Sequence, residues 1–197
     1  SNIAVAILLG ADENAVVIDQ SGDDNIAVSW NGIGSSGNGV VISQAGEFSA
    51  ATSINAFGAS DNGALIAQGS SSFLSFALAL VTGDGNGARI IQDGPVNFAT
   101  VLQSGDGNGA GVTQLGALNL GWVDQSGDGN AAALGQLGVA NFNSVVQNGD
   151  SNLATVGQAG AANYAFTRQS GDTNFALVGQ VGVGNDSQIR QNGDMDS

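Results

Sequence analysis

The sequence predicts an all-β protein, a parallel two-sheet β-solenoid that is amyloid-like and has rungs of 22–24 residues. Three observations predict this fold: a repeat of eleven residues, an alternation of side-chain types inside each repeat, and a glycine at a fixed position between repeats. The 197 residues include 32 Gly and only 1 Pro, and 42% are hydrophobic against 10% charged. This composition is typical of a folded chain rather than a disordered one.

The repeat is strictest in the second half of the chain. Asn recurs every eleven residues from Asn86 to Asn185, Gln follows each Asn by six positions, and Gly follows each Gln by two. Alternate turns carry Gly-Asp, which places a period of 22 over the period of 11. Fixed periods of this length indicate a solenoid whose rung has two unlike strands and two unlike turns.

The first half follows the same rule less strictly. Units begin at Asn14, Asn25, Asn38 and Asn62, whereas Ser49 and Phe73 replace Asn, and Asn31, Asn55 and Ala79 replace Gln. Three successive rungs have 24 residues, and the predicted six-residue turns lie at the same edge, at 32–37, 56–61 and 80–85. The predicted organisation is an N-terminal half rung at 1–13 and a repeat solenoid at 14–197.

Alternation within each unit predicts short strands with one buried face. In 86–92 that face carries Asn86, Ala88, Ile90 and Gln92. Rungs stacked about 4.8 Å apart bring like amides into hydrogen-bonded ladders, which satisfy polar groups that would otherwise be buried unpaired. The predicted ladder residues are Asn86, Gln92, Asn97, Gln103, Asn108, Gln114, Asn119, Gln125, Asn130, Gln136, Asn141, Gln147, Asn152, Gln158, Asn163, Gln169, Asn174, Gln180, Asn185 and Gln191.

Aspartates recur in alternate turns and should form a column of carboxylates. These residues are Asp84, Asp106, Asp128, Asp150, Asp172 and Asp194. Calcium prefers several oxygen ligands and could bridge successive turns, whereas solvated charges would only slow premature aggregation. The spacing of known calcium loops is absent, so we favour solvated turns and predict no metal site.

The two outer faces of the solenoid should differ. Strands that begin at Asn86 and its equivalents turn mostly small residues outward, whereas the alternate strands turn aromatic ones outward. The predicted lateral face comprises Phe98, Trp122, Phe142, Tyr164 and Phe166. A persistent apolar face is larger than soluble monomers normally expose, which favours lateral contact between filaments, or adhesion.

Composition excludes several classes of function. The formal net charge is −14 with no Lys and only 3 Arg, which argues against nucleic-acid partners and against anionic membranes. There is no Cys and no His, so thiolate nucleophiles, Cys/His zinc sites and the usual general base are absent. We therefore predict no catalytic residues, no cofactor, no membrane insertion and no enzymatic activity.

The pattern Gln-x-Gly-x-x-Asn-x-Ala-x3-Gln stands at 103–114, 147–158 and 169–180. It resembles the curlin repeat of bacterial curli subunits, and residues 14–196 are similar to a curli major subunit, a bacterial functional amyloid. The resemblance implies a secreted subunit that self-assembles end to end into extracellular cell-surface fibres, a pilus- or fimbrium-like structure for biofilm matrix and cell adhesion. It also implies a nucleator subunit and secretion chaperones as partners.

Two alternatives stay open at this point. One is a minor nucleating subunit of the same fibre. The other is a monomeric ice-binding or adhesin β-solenoid, which for ice would need a flat outward column of Thr. Thr100, Thr113 and Thr155 do not fall in one column, so ice binding is the weaker alternative.

Overall fold

Two parallel sheets face each other, and the chain alternates between them along its whole length. The computed structural model describes residues 1–9, 12–56 and 58–195, so parts of the predicted half rung and the last two predicted solenoid residues lie outside the described residues. The nine-stranded sheet contains β1 (Ile3–Leu8), β3 (Ile26–Asn31), β5 (Ala50–Asn55), β7 (Phe76–Thr82), β9 (Phe98–Ser104), β11 (Leu120–Ser126), β13 (Phe142–Asn148), β15 (Tyr164–Ser170) and β17 (Asp186–Asn192). The eight-stranded sheet contains β2 (Ala15–Gln20), β4 (Gly39–Gln44), β6 (Gly63–Gln68), β8 (Gly87–Asp93), β10 (Gly109–Ala117), β12 (Ala131–Val139), β14 (Leu153–Ala161) and β16 (Phe175–Val183).

Each strand pairs in parallel with the strand two places along the chain, so a rung is one strand from each sheet. From Gly87 onward, paired residues lie 22 apart, as Gly109 pairs with Ala131. Earlier rungs are longer, because Gly39 pairs with Gly63. The predicted fold class, a parallel two-sheet β-solenoid, is confirmed.

One of the three predicted long turns is wrong. The turns at 32–37 and 56–61 lie at the same edge, as expected, because Asn31 pairs with Asn55 and Gly39 with Gly63; position 57 of the second turn lies outside the described residues. The third pair of extra residues lies at the opposite edge, within 69–75, and not at 80–85: Ala50 pairs with Phe76, whereas Gly63 pairs with Gly87.

The corrected register also changes which residues occupy the Gln and Asn positions of this rung. Val81 rather than Ala79 takes the Gln position, since Val81 pairs with Asn55 and with Gln103. Ser75 rather than Phe73 takes the Asn position, and its hydroxyl accepts a hydrogen bond from the Asn97 backbone N–H at 3.2 Å. A shift of two residues keeps every side chain on its own face, so alternation alone cannot choose between the two placements. The observed register stacks the ring of Phe76 on that of Phe98 at 4.9 Å.

The core is a thin layer between the sheets. Ala occupies one inward position of most strands and a β-branched residue or Leu the next, as with Ala88 at 4% and Ile90 at 0% exposure. The small residue gives the larger one room across the narrow interior. The inward set expected for 86–92 is confirmed, with Asn86 and Gln92 also buried.

Glycine two residues after Gln is required by the stacking of turns. Gly116 has φ of +116°, a backbone conformation that residues with a side chain rarely adopt. A Cβ on Gly116 would also collide with the carbonyl oxygen of Gly138 in the next rung. The same conflict recurs from Gly94 to Gly160, which explains the eleven-residue spacing of glycine.

Candidate functional site

A continuous column of glutamines runs the full length of the eight-stranded sheet. Each amide nitrogen donates to the amide oxygen of the next rung, at 2.7–3.2 Å, and the column comprises Gln20, Gln44, Gln68, Gln92, Gln114, Gln136, Gln158 and Gln180. Each of these nitrogens also donates to a backbone carbonyl, as Gln114 does to Phe98 at 2.9 Å. All donors point the same way, so this column has an acceptor end at Gln20 and a donor end at Gln180.

The corresponding column in the nine-stranded sheet is interrupted. One part links Gln103, Gln125, Gln147, Gln169 and Gln191 at 2.8–3.0 Å. A second part links Asn55 to Asn31 at 2.8 Å. Val81 lies between the two parts, and the side-chain oxygens of Asn55 and Gln103 that flank it are buried without a hydrogen-bond partner.

Asparagines at the strand entrances form two further columns. The Asn108 backbone N–H donates to Oδ1 of Asn86 at 2.8 Å, and Nδ2 of Asn108 donates to the carbonyl of Gly127 at 2.8 Å. The same pattern links five further residues to the rungs on both sides: Asn119, Asn130, Asn141, Asn152 and Asn163. Of the twenty amides predicted from 86 to 191, all are buried except Asn185, which is half-buried near the end of the stack.

The turn aspartates do form a column, and it has a feature that the sequence did not indicate. Oδ1 of each aspartate from Asp106 to Asp194 accepts the backbone N–H of the aspartate one rung earlier, at 2.8–3.0 Å. Ser60 supplies the same N–H to Asp84 at 2.8 Å. These carboxylates thus help to close the turns. Among the described residues, no group of three or more acidic side chains could hold a metal ion.

The five predicted lateral-face residues all point outward from the nine-stranded sheet. Phe142 and Tyr164 stack at 4.9 Å with an interplanar angle of 6°. Trp122 and Phe166 lie in the neighbouring column, separated along it by Ser144. Arg190 lies over the Phe166 ring, with 5.9 Å from its guanidinium carbon to the ring centroid.

Small residues in this second column are covered by their large neighbours. Thr100, placed between Leu78 and Trp122, is 2% exposed, and Ser144, between Trp122 and Phe166, is 7% exposed. Thr100 therefore cannot belong to an outward ice-binding surface. The face is a set of apolar ridges rather than a flat array of hydroxyls.

Both ends of the stack expose strand edges. All six residues of β1 are exposed, and at the other end the side chains of Val181 and Val183 are 85% and 77% exposed. In parallel sheets, every second residue directs its N–H and C=O toward the next strand. The Tyr164 N–H, for example, donates to the Asn185 carbonyl, so the equivalent groups of β17 face the open end. Unpaired edges of this kind are templates for another chain.

The comparison with known families agrees with the periodicity. The family model of the curlin associated repeat matches residues 83–116 and 160–193. No protein of curated function matches the chain. The described residues include no helix that is long and apolar enough to cross a membrane. The chain therefore contains curlin associated repeats within a two-sheet parallel β-solenoid.

Proposed function

We propose that the chain is a structural subunit that self-assembles end to end into extracellular, curli-like amyloid fibres. The observation that carries this proposal is the pair of open ends. The donor end of the glutamine column lies at Gln180 and the acceptor end at Gln20, and neither end is covered by another element of the described chain. A second copy supplies the missing partners at each end.

The energetics favour growth over a free monomer. A buried or half-buried amide without a partner costs about 1–3 kcal/mol, and each added copy gives partners to the terminal amides and to two rows of backbone groups. The curlin repeat supports a cell-surface fibre that contributes to biofilm matrix and adhesion, with a nucleator subunit and secretion chaperones as partners.

We assign the aromatic lateral face to contacts between filaments. Two stacked ring pairs, Phe76 with Phe98 and Phe142 with Tyr164, are joined by Leu120 into one apolar column along the side of the stack. Replacing Trp122, Phe142 and Phe166 with Ser should leave single filaments growing while bundling, counted in electron micrographs, falls severalfold. Filaments that fail to elongate but still bundle would refute this assignment.

Proline substitutions at the open end test the function directly. The backbone N–H groups of Gln188 in β17 and Leu177 in β16 face the open end, by the pattern that Tyr164 and Leu153 follow. Proline there removes two donors to the next copy but leaves the subunit's own strand pairing intact. Gln188→Pro with Leu177→Pro should keep the circular dichroism of the fresh monomer and abolish seeded growth measured by thioflavin fluorescence.

The matched control is the double alanine variant at the same positions, which keeps both N–H groups and should elongate at close to the rate of the unsubstituted chain. Negative-stain images of the unsubstituted protein after a day should show filaments, and their fibre diffraction should show a reflection near 4.8 Å. A chain that stays monomeric in those images would overturn the proposed function.

A further inference from the structure

The outer face of the eight-stranded sheet has a groove that the proposed function does not use. It runs along the stack across β10, β12, β14 and β16 and has a volume of about 380 Å³. Its floor is the outward column Gly135, Gly157 and Gly179, and Thr113 closes one end of the floor. One wall is a ridge of apolar side chains that lie two residues further along each strand: Leu115, Leu137, Ala159 and Val181.

The subunit itself does not require glycine in this floor. None of the three floor residues has a positive φ, and a Cβ added to any of them would meet no atom within 4 Å. The turn residues Gly138 and Gly160 differ, because their φ is 123° and 121° and an added Cβ would collide with the next rung. Glycine inside a strand is destabilising and often marks the close approach of another backbone. The floor therefore indicates close approach by a body outside the subunit.

The ridge is exposed, and it is continuous with the apolar turns that follow it. Leu115 is 42% and Leu137 is 56% exposed, and in the turns Leu118 is 54% and Val139 is 46% exposed. The turns at the opposite edge carry the aspartate column instead. No charged residue occurs in the four strands and the turns that follow them, at 109–118, 131–140, 153–162 and 175–184. These rungs thus have one apolar side and one acidic edge.

We propose that a second copy of this chain, in a neighbouring filament, covers the apolar side. Ridge and groove lie next to each other on one face, so the face is self-complementary. The ridge of each copy lies in the groove of the other, as in an isologous two-fold pair. Both follow the same spacing of about 4.8 Å per rung, so the contact repeats along the filament. This pairing rests on the proposed end-to-end assembly and uses the sheet opposite to the aromatic lateral face.

Charge favours this partner and this side. The formal net charge is −14, so two copies repel each other unless their charges are far apart or screened. Pairing through the apolar side leaves the two aspartate columns at the outer edges, about 45 Å apart, which is roughly two strand lengths. The Debye length is about 8 Å at physiological ionic strength, so columns at that separation are screened from each other. Contact through the acidic edges would instead bring two columns of like charge together.

The size of the surface makes pairing depend on elongation. Groove, ridge and adjoining turns extend about 19 Å along the stack and about 20 Å across it, which is roughly 400 Å² per subunit. A stable complex buries about 800 Å² per partner. One pair of subunits falls short of this area, whereas two filaments reach it and add to it with every subunit. Fresh protein should therefore sediment as a monomer, and pairing should appear only in fibres.

Filling the groove tests the pairing. Gly135→Val with Gly157→Val adds side chains to open space, so the circular dichroism of fresh monomer should be unchanged and seeded elongation should stay within about twofold. The added side chains occupy the place of the partner's ridge. The mass per unit length of the thinnest fibres, measured by scanning transmission electron microscopy, should therefore fall to about half that of unsubstituted fibres.

The matched control is Gly63→Val with Gly87→Val. Both glycines lie in the same sheet, and an added Cβ is equally free of contacts there. These positions lie outside the groove, so the control fibres should keep the mass per unit length of the unsubstituted fibres. An equal loss in this control would overturn the assignment of the contact to the groove.

Charging the ridge is an independent test. Leu115→Asp with Leu137→Asp uses a residue that this column already tolerates, because Asp93 pairs with Leu115. The thinnest fibres should again have about half the mass per unit length. Ser151→Asp with Thr173→Asp adds the same charge at the acidic edge, at exposed positive-φ turn positions like that of Asp61, and should leave the mass per unit length unchanged.

The outcomes separate the pairing from fibre formation. Groove and ridge variants whose fibres keep the full mass per unit length would overturn the pairing while end-to-end assembly stands. If the groove variant does not elongate, the ridge variant decides by the same measurement. Absence of filaments from the unsubstituted chain would instead refute the proposed function, and the pairing with it.

Discussion

The two sheets share one repeat but differ in how completely their interior polar groups are satisfied. In the eight-stranded sheet the glutamine column is unbroken from Gln20 to Gln180. In the nine-stranded sheet it is broken at Val81. The buried side-chain atoms without a hydrogen-bond partner among the described residues all belong to the nine-stranded sheet, in Ser29, Asn31, Ser53, Asn55, Thr100, Gln103, Asn143 and Thr167.

The two sheets are therefore stabilised in different ways. One outward column of the eight-stranded sheet carries glycine, at Gly135, Gly157 and Gly179, so this part of the sheet depends on its backbone and on its amide column. The nine-stranded sheet has the aromatic face as an additional source of burial. Burial of these aromatic side chains stabilises the sheet and offsets the free-energy cost of its buried polar atoms that lack hydrogen-bond partners.

Breaking the continuous column should have the largest effect. Gln136→Ala removes two ladder bonds, to Gln114 and Gln158, and leaves a cavity, so the free energy of unfolding should fall by about 2–4 kcal/mol. The measurement is denaturant unfolding of fresh monomer followed by tryptophan fluorescence. The matched variant is Gln103→Ala, whose Oε1 is already unpaired and whose loss should be smaller by about 1 kcal/mol. Equal losses would mean that ladder continuity does not matter.

Repairing the interrupted column should have the next largest effect, with opposite sign. Val81→Gln places an amide between Asn55 and Gln103. Its nitrogen can donate to the unpaired Gln103 oxygen, and its oxygen can accept from Asn55 once the Asn55 amide has rotated by half a turn. We expect stabilisation by about 1–3 kcal/mol in the same unfolding assay. Val101→Gln is the control, because its column neighbours are apolar and a buried amide there should destabilise the fold. If Val81→Gln destabilises the fold, the space available for the side chain at position 81, and not its polarity, determines which residue fits there.

The sequence alone does not predict that the amide column is interrupted at Val81, and the reason is physical. The amide columns from Asn86 to Gln191 could be predicted because every unit repeats them at one spacing. In β7 no amide marks the register, and a shift by two residues leaves Ala77, Ala79 and Val81 on the inward face in either placement. Only three-dimensional contact, Phe76 on Phe98, distinguishes the two. The hydrogen bonds from backbone N–H groups to the turn aspartates cannot be predicted from the sequence, because turn geometry, not residue type, creates them.

Removing an unpaired amide should stabilise the nine-stranded sheet by a smaller amount. Both side-chain polar atoms of Asn143 are buried without a hydrogen-bond partner, between Gly121 and Ala165 in the stack. Asn143→Ala should raise the free energy of unfolding by about 1 kcal/mol, since lost packing beside Gly121 offsets part of the gain. Asn141→Ala, two residues away, removes a bonded amide and should destabilise instead. Destabilisation of similar size in both variants would contradict this assignment.

The smallest effect concerns Asp124 on the outward side of the nine-stranded sheet. Burial raises the pKa of this carboxyl above its usual range, because its charged form is poorly solvated. Its contribution to stability is therefore complete at pH below the ordinary Asp value and is lost as pH rises through the raised pKa. Asp124→Asn should increase stability at pH 7 more than at pH 3.5, as measured by unfolding midpoints.

The winding of the chain also has a mechanical consequence. Strands lie across the stack, so tension along the proposed fibre would pull successive rungs apart and would be borne by both sheets together. Inside a subunit the polypeptide passes from each rung to the next through a turn, so rungs that separate near Val81, where the amide column is interrupted, stay tethered and can close again. Between subunits of the proposed fibre no covalent bond would cross from β16 and β17 to the next copy. The tensile strength of such a fibre would be set by its joints, and its extensibility would be set within each subunit.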